Sequence, residues 1–209
     1  MCSSDLPESW FDDVLFFGDS ITGSLYAYYL NYGGLGEASF LYVNGMAVHH
    51  IIQYDRQIPV MGKMMNIEDA VAASGCGKLY LMLAMNDIGT SDIENLRSCW
   101  EETLGRIIEK NPDLPIFVQS GTPIRQDRDY FSQEGMDEYN VMLSEVCEEM
   151  GCIYVDITEG LVDETGYMKS ELQADIFHMN AEGCAIWVEN LRNPASYSRL
   201  PDLEQEDET

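Results

Sequence analysis

The sequence predicts an α/β domain built on a parallel β-sheet. Five short apolar segments divide the 209 residues, most of them are followed by a segment with helical character, and no internal repeat occurs. Strands that alternate with helices are typical of βαβ units with right-handed crossovers. A chain of this length with 45% hydrophobic residues is expected to form one domain, which we place at residues 1–200.

The first predicted strand runs from Val14 to Gly18. Four apolar residues lead straight into a glycine there, and a continuous apolar run of this length is typical of a strand buried on both faces. Similar runs predict the other strands at about residues 38–43, 77–85, 115–120 and 152–156.

Helices are predicted between and after these strands. In one of them Ile93, Leu96, Trp100 and Leu104 recur at helical spacing. The predicted helices cover about residues 20–31, 66–74, 92–110, 135–150 and 181–192. Residues 46–65 and 122–134 are expected to be loops, and the acidic tail 201–209 to be disordered. Residues 1–13 are expected to be loose at first, with Trp10 and Phe11 packed onto the body of the domain.

The charge balance limits the classes of partner. The chain has 11 Lys and Arg residues against 37 Asp and Glu residues, so its formal charge is −26. Nucleic acids and anionic membranes would be repelled, and we expect neither as a partner.

No run approaches the roughly 18 apolar residues of a membrane-spanning helix. The N-terminus lacks the pattern of a signal peptide, which predicts a cytoplasmic location unless a leader has been removed; oligomeric state stays open.

The cysteines and histidines do not predict a metal site. None of the six cysteines forms a Cys-x-x-Cys pair or has the spacing to histidine of a zinc site. We expect buried, reduced thiols. For the neighbouring residues His49 and His50, a solvated loop is a better interpretation than a metal site.

Chemically useful residues follow three of the predicted strands. Ser20 follows the first strand, Gly45 the second and Asn86 the third. The carboxyl ends of parallel strands share one edge of a sheet, so these residues are expected to converge, although Asp19 or Ser20 could equally be a simple helix cap. The Ser20 and Gly45 amides and the Asn86 side chain could donate to a developing oxyanion.

A serine nucleophile needs a base, and histidine is the usual one. His178 is one of only three histidines and ends the sequence Asp175-x-x-His178. This offset lets the carboxylate fold back onto the imidazole, so that the second ring nitrogen can face Ser20.

These motifs resemble the four blocks of the SGNH (GDSL-like) hydrolase superfamily, and the chain is similar to a bacterial branch of it. The motifs stand in the family's order across nearly the whole chain: Gly18-Asp19-Ser20-Ile21, the turn at Gly45, Asn86-Asp87 and Asp175-x-x-His178. The resemblance implies a flavodoxin-like three-layer α/β/α sandwich with five parallel strands. It also implies ester hydrolysis through an acyl-enzyme, without a metal or other cofactor.

The resemblance implies a role for each matching residue. Ser20 would be the nucleophile, and His178 and Asp175 would complete the triad. The Ser20 amide, Gly45 and Asn86 would form the oxyanion hole. Gly62 is an alternative to Gly45.

The third block departs from the family pattern. It usually reads Gly-x-Asn-Asp and here reads Ala84-Met85-Asn86-Asp87. The added methyl group of Ala84 could narrow the site or shift the end of the strand. Asp87 is expected to anchor the turn.

The expected activity is that of a serine esterase acting on a small acyl group. Acetyl on a carbohydrate or another alcohol is the expected substrate, because no long apolar lid segment is present. We expect substrate contacts from Met46, His49, Ile88 and Ile124. Two alternatives stay open: a carbohydrate- or partner-binding module with weak turnover, and an O-acyltransferase.

Overall fold

The computed structural model describes residues 5–200, and its main feature is a five-stranded parallel sheet. The strands are β1 (Val14–Gly18), β2 (Ser39–Tyr42), β3 (Ile58–Val60), β4 (Lys63–Met65), β5 (Lys78–Met82), β6 (Ile116–Gln119) and β7 (Ile153–Val155). The sheet has the order β2-β1-β5-β6-β7, while β3 and β4 pair separately as an antiparallel hairpin. The direction of winding reverses between β1 and β5, and ligands of open α/β sheets bind at such a point.

Six α-helices accompany the strands. They are α1 (Ser20–Tyr32), α2 (Val48–Gln53), α3 (Ile67–Ser74), α4 (Ile93–Lys110), α5 (Gln133–Met150) and α6 (Ala181–Arg192). None of the helices within residues 5–200 has the length and apolarity needed to cross a bilayer.

The helices form one layer on each face of the sheet. Along β1, Leu15 and Phe17 point into a core shared with α2 to α5. Val14 and Phe16 point into a second core shared with α1 and α6. This alternation follows from the two-residue period of a strand, and burial on both faces explains why β1 is apolar throughout. The predicted three-layer sandwich is therefore confirmed.

The predicted strands and helices are confirmed with small shifts of their ends. The largest shift is at β5, which was predicted to reach residue 85 and ends at Met82. The backbone turns away there, because the Leu83 carbonyl accepts a hydrogen bond from the Tyr139 hydroxyl at 2.6 Å and the Ala84 carbonyl accepts one from the Asp87 amide at 2.8 Å.

The prediction of a loop over residues 46–65 is wrong. This segment holds α2 and the β3–β4 hairpin. Helix α2 is too short for its periodicity to stand out, and its packing against α4 stabilises it. The hairpin turns at Met61-Gly62, where both residues have positive φ (48° and 79°), as tight hairpins require.

The N-terminal segment packs onto the domain through Trp10 and Phe11, as predicted. Glu8–Phe11 form a 3-10 turn, and the Phe11 ring is fully buried. The Trp10 indole donates to the Tyr80 hydroxyl at 2.9 Å. The acidic tail that was predicted to be disordered lies outside the described residues.

Candidate active site

Ser20 lies at a sharp turn between β1 and α1. Gly18 is required at the end of the strand, because a Cβ atom there would lie 2.1 Å from Thr22 Oγ1 and 2.4 Å from the Met82 carbonyl oxygen. The Asp19 side chain caps α1 by accepting a hydrogen bond from the Ile21 amide at 2.8 Å. Ser20 is the first residue of the helix and is half-buried, so its hydroxyl stands at the positive end of the helix dipole.

His178 and Asp175 reach this turn from the other end of the chain. His178 Nε2 lies 3.0 Å from Ser20 Oγ. The other ring nitrogen, Nδ1, lies 2.9 Å from Asp175 Oδ2 and 3.0 Å from Oδ1. The structure thus brings together the three residues for which the sequence predicted a triad, in a continuous hydrogen-bonded chain.

The loop before α6 holds this histidine in place. Gln173 and Met179 pair as an antiparallel bridge, and the Ala174 amide donates to the His178 carbonyl at 2.9 Å. Asp175 Oδ1 accepts hydrogen bonds from the amides of Phe177 (2.8 Å) and His178 (2.9 Å). Partial burial opposes the charge on Asp175, but these amides and the His178 ring together lower the pKa of its carboxyl below the ordinary value.

Asn86 ties the Ser20 turn to the turn after β2. Its Nδ2 atom donates to Asp19 Oδ2 at 2.7 Å and to the Met46 carbonyl at 3.0 Å. The turn after β2 is also held by the Val43 amide, which donates to the Gly18 carbonyl at 3.0 Å. The ends of β1, β2 and β5 are therefore joined into one unit.

Two backbone amides beside this unit are free to bind an anion. Within residues 5–200, neither the Ser20 N–H nor the Gly45 N–H has a hydrogen-bond acceptor. Gly45 is exposed with φ of 69°, a conformation that favours glycine. Gly62, the alternative donor, lies at the tip of the β3–β4 hairpin, so we retain Gly45.

The chain also matches a known protein family. The sequence profile of the GDSL-like Lipase/Acylhydrolase family matches residues 16–186. The chain belongs to this family. It is therefore a serine ester hydrolase, and the resemblance predicted from the motifs is confirmed.

Solved structures of similar fold include several acylhydrolases. An acetyl xylan esterase, AlAXEase, is 16% identical with a TM-score of 0.64, over 85% of this chain and 96% of that protein. A GDSL-like lipase from Bacteroides thetaiotaomicron is 11% identical with a TM-score of 0.65, over 88% of both chains. A variant of a Geobacillus acetyl-xylooligosaccharide esterase is 16% identical with a TM-score of 0.61, over 88% of this chain and 92% of that protein. A comparison with curated protein sequences found no match.

Asp19 is the most strongly perturbed acid of this GDSL-like hydrolase site. Its side chain is only 1% exposed, and burial raises the pKa of its carboxyl to about 6, although the hydrogen bonds from Ile21 and Asn86 favour the charged form. From the sequence, Asp19 was expected only as a candidate helix cap. Its link to Asn86 spans 67 residues and leaves no local signal in the sequence.

A second carboxylate, Asp87, anchors the segment after the Gly45 turn. It is fully buried and accepts hydrogen bonds from the Val48 amide at 3.0 Å and the His49 amide at 3.4 Å. His49 Nδ1 lies 2.9 Å from Asp87 Oδ1, and the His49 ring packs against His50 at 4.3 Å between ring centroids. His49 is thus buried and paired rather than part of a solvated loop, and the predicted anchoring role of Asp87 is confirmed.

The structure places the four residues predicted to contact substrate in the interior. Met46, His49, Ile88 and Ile124 are all buried. Met46, Ile88 and Ile124 belong to the core beneath α2 to α5, where they support the walls of the site. Their direct contact with substrate stays a prediction. The backbone of Met46 still contributes, through its carbonyl bond to Asn86.

The methyl group of Ala84 points into the core. Ala84 is buried, and a Cβ atom on Gly121 would lie 2.8 Å from the Ala84 Cβ. The glycine at position 121 makes room for the alanine. The Asn86 amide still reaches Asp19 and Met46, so the departure from the family pattern leaves this link intact.

The variant Asp87→Asn tests the anchoring of the Gly45 turn. The side-chain amide of asparagine has one oxygen that accepts hydrogen bonds, whereas the carboxylate has two. The Val48 and His49 amides therefore lose part of their hydrogen bonding, and the Gly45 turn shifts. Because an oxyanion donor acts mainly in the transition state, we expect kcat on a short acyl ester to fall about tenfold or more, with little change in KM. Steady-state kinetics measures this, with the exposed Asp113→Asn as control. Unchanged kcat in Asp87→Asn would contradict the anchoring role.

The variant Asp19→Asn tests the raised pKa of Asp19. An unfolded aspartate titrates near pH 4. Because the native pKa is higher, the native state binds the proton of the Asp19 carboxyl more tightly than the unfolded state does. The stability that this carboxyl contributes below about pH 4 is therefore lost as the pH rises through 6. Relative to wild type, Asp19→Asn should gain about 2–3 kcal/mol in the free energy of unfolding between pH 4 and pH 7. Urea denaturation across this range measures the difference, and a constant difference would refute the assignment.

Proposed function

We propose that this enzyme hydrolyses short-chain acyl esters, acetyl esters above all, with Ser20 as nucleophile, His178 as general base and Asp175 as the group that orients the imidazole. The observation that carries the proposal is the hydrogen-bonded chain from Asp175 through His178 to Ser20 Oγ, with contacts of 2.9 Å and 3.0 Å. A base within hydrogen-bond distance of a serine hydroxyl, and itself held by a carboxylate, is what activates a serine.

The proposed reaction has two halves. Ser20 Oγ attacks the carbonyl carbon of the ester as its proton moves to His178 Nε2. The tetrahedral intermediate then collapses, the bond to the alcohol oxygen breaks, and His178 returns the proton to that oxygen. Water attacks the acyl-enzyme in the same way, with His178 taking the water proton, and releases the carboxylic acid and free Ser20.

Three donors are proposed to stabilise the oxyanion in both halves. The free amides of Ser20 and Gly45 supply two hydrogen bonds, and Asn86 Nδ2 supplies the third. Both Nδ2 hydrogens of Asn86 are engaged before substrate binds. We propose that the longer bond, to the Met46 carbonyl, is exchanged for the oxyanion. The Asp19 bond then keeps the amide in orientation.

The openness of the site supports a small acyl group and a polar alcohol. Asp175 is exposed, and Ser20 and His178 are half-buried, so the triad lies at the surface. The apolar residues once expected to contact substrate are buried instead, which disfavours a long acyl chain. Similarity in fold to acetyl xylan esterases supports acetyl on a carbohydrate. An O-acyltransferase would use the same residues, but a sugar hydroxyl instead of water would attack the acyl-enzyme.

The test compares Ser20→Ala with wild type on chromogenic acetyl and octanoyl esters. Loss of the nucleophile should lower kcat on the acetyl ester by about three orders of magnitude or more. A fluorophosphonate probe should label wild type and not Ser20→Ala. The exposed Ser98→Ala on α4 is the matched control and should retain full activity.

Two results would contradict the proposal. Equal turnover by wild type and Ser20→Ala would remove Ser20 from the mechanism. Faster hydrolysis of the octanoyl ester than of the acetyl ester would refute the preference for short chains. Product analysis with a competing sugar acceptor separates hydrolysis from acyl transfer.

A further inference from the structure

A groove with a volume of about 300 Å³ lies between α1 and the start of α6. One wall is the side of α1 from Ser24 to Tyr32. The opposite wall is the segment from Met179 to Ala181 together with Cys184. None of the residues that line the groove carries a charge at neutral pH.

Both walls begin beside the proposed catalytic pair. Ser24 lies one helical turn after Ser20 on the same side of α1, and its hydroxyl donates to the Ser20 carbonyl at 3.4 Å. Met179 directly follows His178. With a helical rise of 1.5 Å per residue, the distance along α1 from Ser20 to Tyr32 is about 18 Å. This length exceeds that of a single sugar ring and suits a short oligomer.

The α1 wall combines an exposed tyrosine ring with an exposed amide. The rings of Tyr28 and Tyr32 stack at 4.8 Å between centroids, and Tyr32 is 66% exposed. Asn31 is exposed and donates one N–H to the Ala27 carbonyl at 2.7 Å, which leaves its second N–H and its oxygen available. An aromatic face and an amide are the groups that contact the apolar face and the hydroxyls of a sugar ring.

We propose that this groove binds the neutral carbohydrate chain that carries the ester, and thereby places the ester at Ser20. The proposal rests on the proposed esterase function and adds to it the surface that binds the carbohydrate chain. The formal charge of −26 disfavours polyanionic chains, and the uncharged walls offer no partner for them. Binding along α1 would make oligosaccharide esters better substrates than small esters.

The test substitutes the two tyrosines and compares substrates of different length. The variants are Tyr32→Ala and Tyr28→Ala/Tyr32→Ala, and the control is Leu30→Ala, which removes a side chain of α1 that is 64% exposed and lies outside the groove. The substrates are acetylated xylotetraose, p-nitrophenyl acetate and p-nitrophenyl octanoate. We expect the double variant to lose about tenfold in kcat/KM on the tetrasaccharide, mainly through KM, because its aromatic contacts with the sugar are lost; this loss corresponds to about 1.4 kcal/mol. Activity on p-nitrophenyl acetate should be unchanged.

Three outcomes would overturn the proposal. Equal losses on all substrates would indicate a general disturbance of the site. No loss on the tetrasaccharide would remove the groove from recognition, and a loss confined to the octanoate would make it an acyl-chain site. If the double variant does not fold, the single Tyr32→Ala decides, because that side chain is mostly exposed.

A binding measurement separates this proposal from the proposed function. Calorimetry with unacetylated xylotetraose and the Ser20→Ala protein requires no turnover. We expect binding that the two tyrosine substitutions weaken about tenfold. Absence of binding would refute the groove proposal while leaving esterase activity intact. If xylotetraose binds but the wild-type protein hydrolyses no acetyl ester, the proposed function is refuted and the groove proposal is not.

Discussion

The hydrogen bond from Asn86 Nδ2 to Asp19 Oδ2 joins the ends of the neighbouring strands β1 and β5, and the rest of the site depends on it. Asp19 lies between the end of β1 and Ser20, and Asn86 lies in the turn after β5. Through its second hydrogen, Asn86 also holds the Met46 carbonyl and with it the Gly45 turn. One side-chain amide therefore sets the position of the nucleophile relative to the proposed oxyanion donors. The parallel sheet makes this possible because its winding reverses between β1 and β5.

This arrangement costs stability. Asp19 and Asp87 are both buried, and a buried carboxylate is unfavourable unless donors surround it. The protein provides those donors from the site itself: Ile21 and Asn86 for Asp19, and Val48 and His49 for Asp87. The raised pKa of Asp19 shows that compensation is incomplete there. Asp19 and Asp87 are not proposed to contact substrate. They hold the turns at Ser20 and Gly45, which are proposed to contact it.

Features with a local signal could be predicted from the sequence. The apolar run of β1 and the helical spacing in α4 each depend on residues close together in the chain. The positions of Ser20, Asn86 and His178 at one sheet edge followed from the parallel topology and from the order of the motifs. Asp175 could be paired with His178 because three residues separate them.

Features that depend on distant contacts could not be predicted. Helix α2 has six residues, and the buried carboxylate at its start comes from Asp87, 39 positions beyond Val48. His49 looked like a loop residue because nothing near it in sequence indicates its partner. The burial of Met46 and Ile124 could not be predicted for a related reason: these apolar residues beside the motifs fill the core that supports the site. The groove beside α1 also needed the structure, since its two walls lie about 150 positions apart in the chain.

The most direct test of the central claim is a crystal structure of the enzyme with a methyl phosphonate bound covalently to Ser20, which imitates the tetrahedral intermediate. The account predicts that one phosphonate oxygen lies within hydrogen-bond distance of the Ser20 amide, the Gly45 amide and Asn86 Nδ2. The bond from Asn86 to the Met46 carbonyl should be broken, while its bond to Asp19 persists. A phosphonate oxygen directed to solvent, with both Asn86 bonds unchanged, would contradict the account.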